Sequence, residues 1–239
     1  MSAPDPAALW RAFEATWPPA ATLRRDGWLL RCGQGGGKRV SAATPDRVEP
    51  DLAALEAWAA ETGEPPLVLV RNGEAALDAR LAAAGFRLVD PVVIYAAPVA
   101  ALPRQPSRLA AFPLWPPLAV MAEIWAEGGI GPARLRVMDR VTEPKTALLG
   151  RTDDRAAGAA FIAAADRIAM LHALEVRPAY RRRGTAWHMM AAAALWAEVQ
   201  GATHLALAVT RANTPANALY ASLSMSPVEH YHYRQKAAP

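Results

Sequence analysis

One stretch, Leu171 to Val199, constrains what this chain can fold into more than any other: LHALEVRPAYRRRGTAWHMMAAAALWAEV. An apolar, strand-like run ends at Val176 and Pro178 breaks it. A basic turn with a single glycine follows, and then a long apolar helix begins. A strand that delivers a basic, Gly-containing loop to a helix N-terminus is a way to hold a phosphorylated ligand. Unpaired backbone N–H groups and the positive end of a helix dipole gather at that one point. Arg181, Arg182 and Arg183 add positive charge there, and Gly184 lets backbone approach closely without a Cβ. Three arginines before a helix are equally what a solvated turn looks like, and spacing alone leaves both readings open.

The flanking sequence supplies further strands and helices. Upstream, Thr146–Arg151, Ala157–Ala164 and Arg167–Val176 read as three strands, with turns at Asp153-Asp154 and Asp166. The adjacent carboxylates of Asp153 and Asp154 read as exposed turn formers before they read as metal or acid–base chemistry. Before the strands, Leu118, Met121, Ile124 and Trp125 make one face of a helix ending near Gly128-Gly129, and Pro132 to Val141 is a second short helix. Downstream, the helix Gly184–Val199 is apolar nearly all round, its densest face Trp187, Met190, Ala191, Ala194 and Leu195. His204–Thr210 is a continuous buried strand of the kind parallel pairing gives. Thr214 and Pro215 read as N-cap and first residue of another helix, and Val228–Gln235 closes the chain as a strand.

The first half reads αββαβαβ. Asp5-Pro6 opens a helix carrying Leu9, Trp10, Phe13 and Trp17 on one face. Strands are expected at Leu23–Arg31 and Lys38–Ala43, with Gly33 to Gly37 as a hairpin turn. That tract lacks the Gly-Lys-Ser/Thr ending of a phosphate loop. A helix over Asp51–Thr62, a strand Leu67–Val70, a helix Glu74–Ala84 closed by Gly85 and a strand Phe86–Ala97 broken at Pro91 complete it. Prolines 103, 106, 113, 116 and 117 mark a linker. The expected organisation is therefore 1–106, a linker 107–117, and a second domain 118–239.

Composition narrows the function class. Hydrophobic residues are 53% of the 239 and charged residues 20%, the balance of a globular chain. The net charge of +4 is small, and the only dense basic cluster is the one loop, which favours a localised anionic ligand over nucleic acid. Cys32 is the only cysteine, so an internal disulfide is excluded and a cysteine-based zinc site disfavoured. No apolar run reaches the length of a membrane span, and MSAPDPAALW has no basic region before an apolar core, so a cytoplasmic protein without membrane contact is expected. His230 and His232 share one strand face, yet no third ligand stands near, and no metal is expected.

Arg181-x-x-Gly184-x-Ala186 resembles the Arg/Gln-x-x-Gly-x-Gly/Ala signature of the GNAT (Gcn5-related) N-acetyltransferase superfamily. LHAL before a basic loop is particularly similar to arylalkylamine N-acetyltransferases. Asn213-Thr-Pro-Ala-Asn-Ala-Leu-Tyr220 is similar to that superfamily's Asn-x-Pro-Ala-x-x-Leu-Tyr element, although Leu223-Ser224-Met225 stands where Leu-Gly-Phe is usual. The resemblance runs from about Pro117 to Gln235. In the first half, RLAAAGFRLVDPVVIY looks like the end of a GNAT domain, but no coenzyme loop accompanies it. The resemblance implies an α/β GNAT fold, a mixed central sheet flanked by helices, in the C-terminal half, with a smaller, degenerate GNAT-like α+β N-terminal half.

The resemblance also implies the chemistry: acetyl transfer from acetyl-CoA to a primary amine by direct attack in a ternary complex. His172 is then the first candidate for the base, Glu175 the second if the strand bulges between them, and Tyr220 the general acid beside the thioester sulfur. Backbone of Leu174, Glu175 and Val176 would pair with the pantetheine arm. Backbone of Arg182, Arg183, Gly184, Thr185, Ala186 and Trp187, with Arg181, would receive the pyrophosphate, and Asn213 and Tyr220 would contact the coenzyme. Trp125, Arg134, Arg136 and Arg140 are candidates for the acceptor, a small-molecule or peptide amine. The protein is expected to be a monomer or homodimer. A second reading is a non-catalytic acyl-CoA-binding or sensing protein; a third, RNA binding through Arg181–Arg183, predicts a steep salt dependence.

Overall fold

The computed structural model describes residues 3–103 and 109–237. In chain order the elements are α1 (Pro6–Ala15), β1 (Ala21–Arg25), β2 (Trp28–Cys32), α2 (Lys38–Ser41), β3 (Thr44–Pro45), α3 (Leu52–Thr62), β4 (Leu67–Arg71), α4 (Ala75–Ala83) and β5 (Arg87–Pro98). They continue with β6 (Ala111–Leu114), α5 (Ala119–Glu127), α6 (Pro132–Arg140), β7 (Lys145–Thr152), β8 (Arg155–Ala165) and β9 (Ile168–Val176). The last are α7 (Thr185–Val199), β10 (His204–Thr210), α8 (Thr214–Ser222) and β11 (Ser226–Gln235). None of the described helices is long and apolar enough to cross a membrane.

The chain folds into two compact units that are not consecutive in sequence. The first takes Met1–Pro18, Ile94–Val209 and Asn213–Val228; the second takes Pro19–Val93, Thr210–Ala212 and Glu229–Pro239. The units thus depart from a division at 1–106 and 118–239. α1 joins the first unit because Leu9, Ala12 and Phe13 bury on it, and its N-cap Asp5 accepts the Ala8 amide at 2.8 Å. The segment expected as linker is partly structured: Ala111–Leu114 pairs antiparallel with β7, Pro113 lying on this edge strand where its missing N–H is tolerated. Residues 107 and 108 lie outside the described residues.

In the first unit the strand order is β5-β10-β9-β8-β7-β6, mixed because β10 runs parallel to β9 while β7, β8 and β9 form an antiparallel meander. α7 covers one face with Met189, Met190, Ala191 to Ala194 and Ala197 buried. Its approach is close: a Cβ at Gly150 or Gly158 would lie 2.5 or 2.8 Å from the Met189 sulfur. Trp187, expected on the densest face, is instead 36% exposed at the helix start, and Leu195 is half-buried.

The second unit contains the β1–β2–β3 sheet and the order β4-β11-β5 around a core of Trp28, Leu30, Leu55, Val68, Val70, Leu81 and Phe86. Here the expected hairpin moves. Asp26-Gly27, at φ +48° and +87°, makes the tight turn between β1 and β2, as primed hairpin turns require. The Gly33–Gly37 tract leads instead into the one-turn helix α2, so Lys38–Ala43 is not a strand. β5 runs unbroken through Pro91.

Candidate acyl-donor and catalytic site

The site is built from a defect in pairing. β9 and β10 pair in parallel from His204↔Ile168 to Leu207↔Leu171, and the register ends there, although β9 continues to Val176 and β10 to Thr210. Past Leu171 the β10-facing edge of β9 is open. The Arg177 amide bonds Ala157 O at 2.9 Å on the β8 side. Alternation along the strand therefore turns the backbone groups of Val176 and Leu174 to the open edge, and those of Glu175 toward β8. Of the three residues expected to pair with a ligand arm, Leu174 and Val176 have the right facing and Glu175 does not.

β9 also carries the bulge that lets His172 and Glu175 share a face. Against β8 the register is Ala159↔Glu175 and then Phe161↔His172, so β9 holds one extra residue. Ala173 sits there at φ +51°, and the Trp125 indole N–H donates to its carbonyl at 2.8 Å. Trp125 is fully buried, which takes it out of the set of acceptor-contacting side chains and makes it the pin of the bulge. Arg134 and Arg136 are exposed, while Arg140 bonds the carbonyls of Arg136 and Pro18 at 3.1 and 3.4 Å.

His172 is buried among Trp17 and Phe161, ring centroids 5.0 and 6.1 Å away. Its Nε2 lies 3.0 Å from the Thr16 hydroxyl, which itself donates to Ala12 O at 2.6 Å. Thr16 has one proton to give, so Nε2 carries the hydrogen and donates to Thr16; any base role falls to Nδ1. Glu175 is bound by Arg181 at 3.0 Å and lies against Gly128, where a Cβ would come within 2.5 Å of its Cγ.

The loop ends as the Arg-x-x-Gly pattern requires. Arg182 and Gly184 take φ +62° and +82°, and the first helical bond is His188 N–H to Gly184 O at 3.0 Å, so the amides of Thr185, Ala186 and Trp187 lie ahead of it without an intrahelical acceptor. The arginine side chains have other work. Arg181 donates to Val176 O at 2.9 Å as well as to Glu175, and Arg183 pairs with Asp153. Thr185 is buried and hydrogen-bonds Thr152 through hydroxyls 2.6 Å apart. On α8 the N-cap is Asn213, not Thr214: its side-chain oxygen accepts the Ala216 amide at 3.2 Å. Tyr220 is buried, its ring 5.9 Å from that of Tyr95, and burial pushes its phenol up to about 12.

Residues 118–225 match the sequence model of the Acetyltransferase (GNAT) family. Over that stretch, 108 of the 239 residues, the chain is similar to a GNAT domain. Members of this family are acetyltransferases with acetyl-CoA as co-substrate, and the mixed sheet flanked by helices is their fold. The full chain is similar in structure to a GCN5-related N-acetyltransferase from Kribbella flavida at 19% identity and TM-score 0.67, covering 98% of this chain and 94% of that one. A tandem GNAT protein from the clavulanic acid biosynthesis pathway aligns at 14% identity and TM-score 0.60, covering 93% and 85%. A putative GNAT acetyltransferase from Novosphingobium aromaticivorans gives 14% and 0.56, covering 90% and 89%. At these identities the likeness is one of fold. No curated protein matches the chain.

The GNAT pattern called for Trp125 only as an acceptor candidate, and nothing in the sequence pointed to Thr16 or Gly128 as neighbours of His172 and Glu175. Among the described residues no group of three or more metal-ligating side chains is gathered.

Proposed function

We propose that the first unit transfers the acetyl group of acetyl-CoA to a primary amine of a small molecule or peptide, by direct attack in a ternary complex. The observation that carries this reading is the parting of β9 from β10 after Leu171 and Leu207, opening a strand edge that leads to the amides at the start of α7. The residues fit the donor: Leu174 and the amide of Val176, whose carbonyl already accepts from Arg181, offer strand-like hydrogen bonds to its amide-containing arm, and Thr185, Ala186 and Trp187 offer N–H groups to its pyrophosphate. Bound there, the thioester supplies the electrophilic carbonyl. Tyr220, fully protonated at neutral pH, holds a proton for the departing sulfur. His172 Nδ1 or Glu175, on the shared face that the bulge creates, takes the proton of the attacking ammonium, directly or through water.

A non-catalytic acyl-CoA-binding protein is the second reading, favoured by one observation: both candidate bases are already engaged, His172 with Thr16 and Glu175 with Arg181. RNA binding draws less support, because Arg181 and Arg183 are tied to carboxylates. Free-thiol release from acetyl-CoA across a panel of amines separates the first two. For the enzyme, Tyr220→Phe and His172→Ala lower turnover at least tenfold with donor affinity within about twofold. Donor binding with no thiol release on any amine establishes the second reading.

A further inference from the structure

The second unit contains a cavity of about 340 Å³ at the end of β4 and the start of α4, lined by residues of that unit alone. Its polar wall is Arg71, Asn72, Arg211 and His230, and its apolar wall is Leu88 and Pro91. The volume is that of a small-metabolite site.

The charges in this wall are distributed unevenly. Elsewhere in the unit several cations meet carboxylates, Arg24 with Asp46, Arg25 with Glu61, Lys38 with Asp90 and Lys236 with Glu56, and others meet carbonyls, Arg47 that of Asp26 and Arg80 that of Pro50. Arg211 does neither. Its amide anchors the backbone to Pro91 O at 2.8 Å, but among the described residues its guanidinium meets only His230 Nδ1, at 3.5 Å. The two carboxylates in the lining are turned to other work. Asp78 accepts Arg234 at 2.7 and 2.9 Å and His232 at 2.7 Å, and Glu74 folds back to accept the Arg71 amide at 2.7 Å. Glu74 does not cap α4, so no side chain caps the first amides of that helix, and Gly73, Glu74 and Ala75 line this end of the cavity.

We propose that this cavity binds a small organic oxyanion, a carboxylate or phosphate monoester, with its charged end at Arg211 and His230 and its carbon skeleton on Leu88 and Pro91. The guanidinium supplies paired N–H donors matched to either head group, and the Asp78 carboxylate in the lining is already offset by Arg234. This site is independent of the acetyl-donor reading, because no residue of β9, α7 or α8 takes part.

The test is a titration of the ¹⁵N-labelled full-length chain with glycerol 3-phosphate, butyrate and inorganic phosphate, following the amides of Gly73 and Ala75. Saturable shifts with at least one probe are expected, and the order of the three identifies the head group and whether the carbon skeleton contributes. Arg211→Ala should weaken binding at least tenfold and Arg211→Glu abolish it. Arg24→Ala, whose arginine already has a carboxylate partner, should leave binding unchanged. Arg211 is exposed, so the variants keep the fold. Linear, non-saturating shifts with all three probes, or equal affinity in Arg211→Ala, overturn the proposal.

Discussion

At the residue scale the proposed donor site would rest on backbone geometry more than on charge. Gly184 at φ +82° occupies a conformation that costs a β-branched residue well over 1 kcal/mol, and a shift there moves the amides that follow it. Gly184→Val should therefore weaken acetyl-CoA binding more than tenfold by calorimetry. Arg182→Ala, which removes a side chain and keeps the loop path, should cost about threefold or less; equal losses in the two variants would count against a backbone site. Tyr220 carries a second residue-scale prediction. Its phenol ionises at about 12 when folded, against 10.0 ordinarily, so between those values the unfolded chain loses the proton while the folded chain keeps it. The contribution is intact below pH 10 and disappears as pH rises through 12. Tyr220→Phe should flatten part of the alkaline fall in stability, read from urea midpoints between pH 9 and 12; Tyr231 and Tyr233, also raised by burial, act in the same direction.

At the scale of elements, two polar contacts hold pieces of structure that hydrophobic pattern alone would leave free to slide. The bulge in β9 is one. Trp125→Phe keeps most of the buried volume but strands the Ala173 carbonyl, at a cost of roughly 1–3 kcal/mol. It should raise the KM for acetyl-CoA along with the loss of stability, because the bulge sets the facing of Leu174 and Val176. An unchanged KM would mean that the bulge holds without its pin. The other is Asp78, which ties α4 to β11 through Arg234 and His232. The bond from Arg234 comes first in holding its carboxyl at about 2, against 3.8 ordinarily, with burial opposing and His232 assisting. A depressed carboxylate contributes stability above its unfolded value and loses it as pH falls through the folded one, here from about 4 to about 2. Asp78→Asn should lower stability by on the order of 2 kcal/mol at pH 7 and make acid unfolding less steep in that window. Neither contact was legible beforehand. Strand and helix identities followed from period and punctuation, so α5, α6, β7 to β11 and α7 fell within a few residues of their expected bounds. A bulge at Ala173 and a pin 48 residues away leave no trace in periodicity.

At the scale of the whole molecule, the halves repeat a local pattern without repeating its chemistry. α4 at 75–83 and α8 at 214–222 are both nine residues long and are followed by a left-handed residue, Gly85 at φ +86° and Ser224 at φ +57°. In that alignment Leu81 stands where Tyr220 stands, and Glu74 where Asn213 stands, which is why the first half lacks the hydroxyl and amide of the second. The GNAT resemblance in residues 118–225 was readable because its motifs are local; the true unit boundaries were not, because they depend on which strand neighbours which. The first unit takes α1 and the end of β5 from the N-terminal side, and the second takes most of β11 from the C-terminal side. No single cut in the chain can then release an intact unit. A fragment of residues 107–239 lacks α1, whose Leu9, Ala12 and Phe13 are buried, along with Thr16 and Trp17 around His172, and it lacks β5 beside β10. Losing that burial removes several kcal/mol from a fold whose whole margin is about 5–15 kcal/mol. Expressed alone, the fragment should show no cooperative thermal unfolding and no acetyl-CoA binding. A two-state transition with donor affinity equal to that of the full chain would show instead that the GNAT-like region closes without the N-terminal helix and β5.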